Sequence, residues 1–171
     1  MLKLAGALLL MTGAACLGFG AAAQLKARVN CLMAFTAALE QMERELGFRL
    51  TPMPELMSKL SHTAAAPADL FFARCREEMA QLGMRTFGEL WRTALNDEPE
   101  LLLEPAERQI LASLGDVLGR YDADGQRQAL ATAIAELGEC LRQARQERDR
   151  LGRVYATLGL GAGAMLVIIL L

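Results

Sequence analysis

Hydrophobic positions fall into three regimes along the chain: an unbroken apolar run, a long stretch with helical spacing, and a second apolar run. Leu4 to Ala23 is twenty residues without a charge, and Val154 to Leu171 is eighteen more. A membrane core about 30 Å thick needs about 20 apolar helical residues, because peptide groups in lipid must bond within their own helix. Residues 4–23 and 154–171 are therefore expected as transmembrane helices, with one domain at 24–153 between them. Small residues recur one turn apart in both runs, Gly18 with Ala22 and Gly159 with Gly163, a spacing that lets helices approach closely in lipid. Tyr155 is placed to anchor the second run at the interface.

Between the runs no strand alternation stands out. Leu25, Val29, Leu32, Phe35, Leu39, Met42 and Leu46 step by threes and fours, the stripe of one long helix, with Gly47 expected as a left-handed cap. Thr51-Pro52 supplies a cap and a first-turn proline for a short helix to about Leu60. Pro67 and Asp69 open another, with Leu70, Phe71, Met79 and Leu82 as expected core, closed by Gly83. Thr86 with Glu89 three later is a capping box for a helix holding Leu90, Trp91 and Leu95, broken by Asn96 to Pro99. Glu104-Pro105 begins a helix carrying Ile110, Leu111, Leu114, Val117 and Leu118 up to Gly119. Asp122 is expected to cap the last helix, with Leu130, Ile134, Leu137 and Leu141 on its inner face and a solvated stretch through Ala144 and Arg148. If it runs on into the second apolar run, residues 123–171 span about 70 Å. The prediction is an all-α fold: an antiparallel bundle of about six helices flanked by N- and C-terminal transmembrane helices.

Charge sharpens this layout. Of 18 basic and 20 acidic residues, only Lys3 lies outside 24–153. A slightly acidic middle argues against a nucleic-acid partner, which wants a basic face. Lys26 and Arg28 flank the first run on the inside, and Arg142, Arg145, Arg148, Arg150 and Arg153 precede the second. Lysine and arginine near span ends stay cytoplasmic, so the middle is expected inside the cell. The arginine segment 142–153 reads either as such a topology marker or as a binding segment for anionic lipid or an acidic partner. An alternative reading takes the first run as a leader, cleaved after Ala23 or lipid-modified at Cys16, leaving an exported helical binding domain.

Catalytic signatures are missing from the sequence. It has no Gly-x-x-x-x-Gly-Lys-Ser/Thr for phosphates and no Gly-x-Ser-x-Gly, its serines being Ser58, Ser61 and Ser113. Cys16, Cys31, Cys75 and Cys140 show no Cys-x-x-Cys spacing and read as small buried hydrophobes. His62 stands alone; Glu77-Glu78 and Glu98-Pro99-Glu100 read as solvated faces or loops. Trp91 reads as a core anchor, and Met53, Met57, Met79 and Met84 as an adaptable core. No catalytic, cofactor-binding or metal-ligating residues are assigned, and no enzyme activity, cofactor or small-molecule substrate is expected.

Several short pieces carry a resemblance. They are Met1-Leu2-Lys3-Leu4 with Gly6-Ala7-Leu8-Leu9, Thr51-Pro52-Met53-Pro54-Glu55-Leu56, Leu118-Gly119-Arg120-Tyr121-Asp122 with Gln126, and Tyr155, Leu158, Gly159 and Leu166 to Leu171. In this order, over the whole length, they resemble the stage III sporulation protein AB family of spore-forming bacteria. Met53 and Tyr121 depart from its pattern, where leucine and a small polar residue are expected. The resemblance implies a non-enzymatic role in the mother-cell membrane facing the forespore, within a secretion-like channel. It implies a cytoplasmic helical domain similar to the F-type platforms of type II secretion and type IV pilus systems. Its implied partners are a secretion-type ATPase, the AA protein of the sporulation operon, together with other channel components and the lipid bilayer. No binding residues carry over, since the shared pieces are caps and turns.

Overall fold

The computed structural model describes the backbone of residues 2–48, 51–119 and 123–170, and the side chains of residues 20, 22–47, 51–119 and 123–151. Six α-helices follow one another: α1 (Leu2–Phe48), α2 (Met53–Thr63), α3 (Ala68–Glu78), α4 (Phe87–Asp97), α5 (Pro105–Leu118) and α6 (Ala123–Leu170). A single 3-10 turn, Met79–Gln81, extends α3, and no strand occurs among the described residues. Contacts divide the chain into two units, residues 1–27 with 143–171 and residues 28–142. The first is helical throughout its described part. The expected spans, 4–23 and 154–171, lie almost wholly outside the residues whose side chains are described; among the described residues no helix is long and apolar enough to cross a membrane.

The second unit is an antiparallel helical bundle, as its cross-helix partners show. Gln41 pairs with Thr63 and Glu45 with Lys59 between α1 and α2, at 2.9 and 2.5 Å. Trp91 reaches Leu111, Arg92 reaches Asp116 and Arg108 reaches Leu95, so α4 runs against α5. Arg127 of α6 passes over Gly47 near the end of α1. The connections are short because each polar turn carries its own stop signals.

The core follows the helical stripes. Val29, Leu32, Phe35, Leu39, Met42 and Leu46 of α1 are buried, as their spacing requires. Phe35, Phe71, Phe72, Phe87 and Trp91 form a connected aromatic cluster, with Phe71 and Trp91 edge-on at 4.7 Å between ring centroids. The capping box at Thr86 and Glu89 is formed, with both reciprocal hydrogen bonds present.

Several local expectations are corrected. In α3 the buried positions are Ala68, Phe71, Phe72, Cys75 and Glu78, spaced three and four apart; Leu70 and Leu82 fall off that face and are exposed. Met84 is 92 % exposed rather than core, while Met57 is fully buried. Thr51 does not cap α2: its hydroxyl donates to Glu45 at 3.3 Å, and Pro52 holds the cap position, with Pro54 in the first turn. That helix also runs three residues past Leu60, to Thr63. Gly47 lies inside α1, which continues to Phe48. The left-handed glycine is Gly83, with φ 103°, where the turn after α3 needs a conformation that costs a side chain dearly. Ile110, Val117 and Ile134 are half-buried, and Asp122 lies outside the described residues.

Candidate functional site

Charge in the second unit gathers in two places. At the start of α5, Glu104 and Glu107 form a capping box around Pro105, and the Glu107 carboxylate accepts the Glu104 N–H at 2.7 Å. Arg28 of α1 then donates to the other Glu107 oxygen from Nε at 3.0 Å and Nη2 at 2.6 Å, while its Nη1 meets Glu104 at 2.5 Å. Glu107 is 1 % exposed. A carboxylate at a helix N-terminus also gains from the helix dipole, so this buried anion is compensated three ways. Its lone pairs are directed at fixed donors, which suits it to hold α1 against α5.

The second cluster joins α3, the following turn and α4. Glu78 is 7 % exposed, not the solvated acid its neighbour Glu77 suggests. Arg74 and Arg85 each approach it at 3.5 Å, and Gln81 donates to it at 3.2 Å. Arg74 also meets Glu77 at 3.1 Å and Asp97 at 3.4 Å, and the hydrogen bonds to those two carboxylates push its pKa up. Beside this network lies a notch of about 500 Å³ lined by Leu70, Ala73, Arg74, Glu77, Asp97 and Glu98.

A groove of about 570 Å³ runs between α5 and α6, floored by Ile110, Leu114, Val117, Ala129 and Ala133. Glu136 is the one charged residue along it, and depletion of charge is the compositional mark of an interface centre. The half-buried Ile110 and Val117 line this groove.

The three described thiols are biased toward their neutral form by their surroundings. Burial, with the Glu107 charge adding to it, pushes the Cys31 thiol up to about 12. Cys75 is raised for the same first reason, with Glu78 as the neighbouring charge, and Cys140 is raised mainly by burial. His62 is exposed, its Nε2 3.4 Å from an Arg76 nitrogen. Among the described residues no group of three or more His, Cys, Asp or Glu is placed to hold a metal ion.

The model of the family described as stage III sporulation protein AB matches residues 3–171. The chain belongs to that family. It is 24 % identical over 172 residues to stage III sporulation protein AB of Bacillus subtilis (strain 168), covering 100 % of both chains. A solved structure of stage III sporulation protein AB superimposes with a TM-score of 0.66 at 21 % identity, over 72 % of this chain and 98 % of that one, which establishes the shared helical fold. Membership of the stage III sporulation protein AB family ties the chain to sporulation, and the family is not named for any reaction.

Within this family member, the arginine segment is placed as the pattern suggests. Arg142, Arg145 and Arg150 are exposed and Arg148 is half-buried. Arg142 pairs with Glu139 and Arg148 with Asp149 at 2.8 Å; Arg153 lies outside the described side chains. Trp91 is a core anchor, fully buried, with its indole N–H donating to Leu111 O at 2.8 Å. Sequence reasoning missed the Arg28 clasp, having assigned Arg28 to topology alone. The signal was present in Glu104-Pro105-Ala106-Glu107, an acid–proline start with a second acid at the third helical position.

Proposed function

We propose that this stage III sporulation protein AB family member is a membrane-anchored platform in a secretion-like channel between mother cell and forespore. It couples a cytoplasmic ATPase to the membrane complex. Residues 4–23 and 154–171 cross the mother-cell membrane, and the helical unit between them stays in the cytoplasm. The observation that carries this reading is the family match over residues 3–171 on a chain whose charges, Lys3 apart, lie between two apolar runs. The basic residues just inside both runs support the orientation. Support for a platform comes from the buried Glu107, held by Arg28 across helices, and Glu78, held by Arg85 from the turn before α4, and from surfaces built as groove and notch. With no phosphate-binding loop in the sequence, nucleotide hydrolysis falls to a separate partner chain, for which the AA protein of the same operon is the candidate.

Extraction in mild detergent tests this directly: the full chain should bring down a ring ATPase from sporulating cells, and deletion should block development after engulfment. Normal spore yield on deletion rejects the proposal. A mature chain lacking residues 1–23 rejects the topology, as does rapid modification of an exposed engineered thiol, Ser113→Cys, by an impermeant reagent in intact cells.

A further inference from the structure

We propose that the notch between α3 and α4 receives the Arg142–Arg145 turn of α6 from a second copy of this chain, in a head-to-tail contact. This rests on the membrane anchoring proposed above and does not need the ATPase. The notch carries more negative than positive charge. Arg85 answers Glu78, and Arg74 is shared among Glu77, Glu78 and Asp97, while the Glu98 carboxylate has no ion-pair partner among the described residues. Glu77, Asp97 and Glu98 around one guanidinium leave a deficit of two positive charges. Arg142 and Arg145 are three residues apart on one helix face, and both are exposed. Arg145 has no ion-pair partner among the described residues, and Arg142 has only an exposed i,i+3 pair with Glu139, which a better partner displaces at little cost. Leu70, exposed at the notch wall, offers an apolar surface for the arginine methylenes.

Position within the bundle favours a second copy as the occupant. Asp97 and Glu98 end α4 close to Leu95, whose carbonyl accepts from Arg108 in the first turns of α5. Those same turns hold Arg28 through Glu104 and Glu107, and Cys140 lies within electrostatic reach of all three. Notch and Arg142 therefore lie at the same end of residues 28–142, on different helices. Two surfaces at the same end can meet between copies anchored side by side in one bilayer. Unlike surfaces joined in this manner repeat by rotation, closing into a ring when the rotation allows.

Two differently tagged full-length copies, co-expressed in membranes, provide the test. One carries Glu98→Cys, the other Arg145→Cys, under mild oxidation. A cross-link between the two tags that needs both engineered thiols is expected. Adding Glu77→Arg to the first copy should lower its yield about fivefold, and adding Arg142→Glu to the second should restore it to within about twofold. Unchanged Trp91 emission verifies that each variant is folded. Absence of the cross-link overturns the proposal, as does a yield indifferent to charge reversal, or products joining only like positions. So does a chain whose arginine variants lose flotation with anionic vesicles while no copy-to-copy product forms.

Discussion

Gly115→Ala is expected to cost more stability than any other single methyl group added to α5. A Cβ built on Gly115 would lie 2.3 Å from Trp91 Cδ1, 2.6 Å from Cγ and 2.9 Å from Nε1. The ring must retreat by about 1 Å to reach ordinary contact, and it has nowhere to go. Phe71 stands edge-on at 4.7 Å, Phe87 at 5.7 Å and Phe72 at 6.2 Å, and the indole N–H is committed to Leu111 O at 2.8 Å. Overpacking of this kind costs about 1–3 kcal/mol. Straining a fully buried hydrogen bond adds about 1–3 kcal/mol. Against this, alanine is a better helix former than glycine by about 1 kcal/mol. The net expectation is a loss of about 3 kcal/mol. With a urea slope of about 1.5 kcal/mol per molar, the midpoint falls by about 2 M. Trp91 is the only tryptophan, so its emission reports this site directly in the full chain held in mild detergent. Gly138→Ala serves as the opposite case, because a Cβ there meets nothing within 4 Å. It should raise the midpoint slightly, by the propensity gain alone. If Gly115→Ala leaves both midpoint and emission maximum at the wild-type values, the packing argument around Trp91 is wrong.

Three further expectations use the same readout. Glu107→Ala removes the buried partner of Arg28, whose side chain is 13 % exposed, and should destabilise by about 3 kcal/mol, whereas Glu104→Gln, at a carboxylate 55 % exposed, should cost about 1 kcal/mol or less. Comparable losses for the two would refute the distinction between buried and exposed partners. Gly83→Ala forces a side chain into φ 103° and should cost about 1–2 kcal/mol, while Met84→Ala next door, at a position 92 % exposed, should cost almost nothing. The Cys31 and Cys75 thiols, raised in the folded state, make stability fall with alkalinity: full below the ordinary thiol value of 9, it declines as pH rises because only the unfolded chain releases those protons. From pH 9 to 10 the two together should cost about 2 kcal/mol, a slope that Cys31→Ala with Cys75→Ala should remove.

Helix number and order were legible because each boundary has a local cause. The capping box at Thr86, the acid–proline start at Glu104 and the three-four stripe from Val29 to Leu46 act within one or two turns, so neighbours in sequence suffice to read them. The face of α3 was not legible. Leu70 and Phe72 are both apolar and two residues apart, on nearly opposite sides of a helix. Only the position of Phe35 and Trp91 on other helices decides that Phe72 goes inward. Met84 was misplaced for a related reason: methionine suits an irregular core, yet a turn pinned by Arg85 on Glu78 and Thr93 holds it out in solvent. The notch escaped notice entirely, since Leu70 and Glu98 are brought together only by the packing of α3 on α4.

Glu78 and Glu107 belong to one pattern. Each is a glutamate on the inner side of a helix, nearly excluded from solvent, and each is met by arginine from another segment of the bundle. A buried ion pair is weak evidence for stability, because desolvating the charges consumes most of their attraction. Its distinctive property is intolerance of displacement: sliding α1 along α5 by one turn would leave Arg28 and Glu107 apart, each buried without its partner. A hydrophobic pair at the same positions would tolerate that slip. The two carboxylates therefore act as register pins, one for α1 on α5 and one for α3 on α4. A bundle pinned at both contacts resists sliding under load.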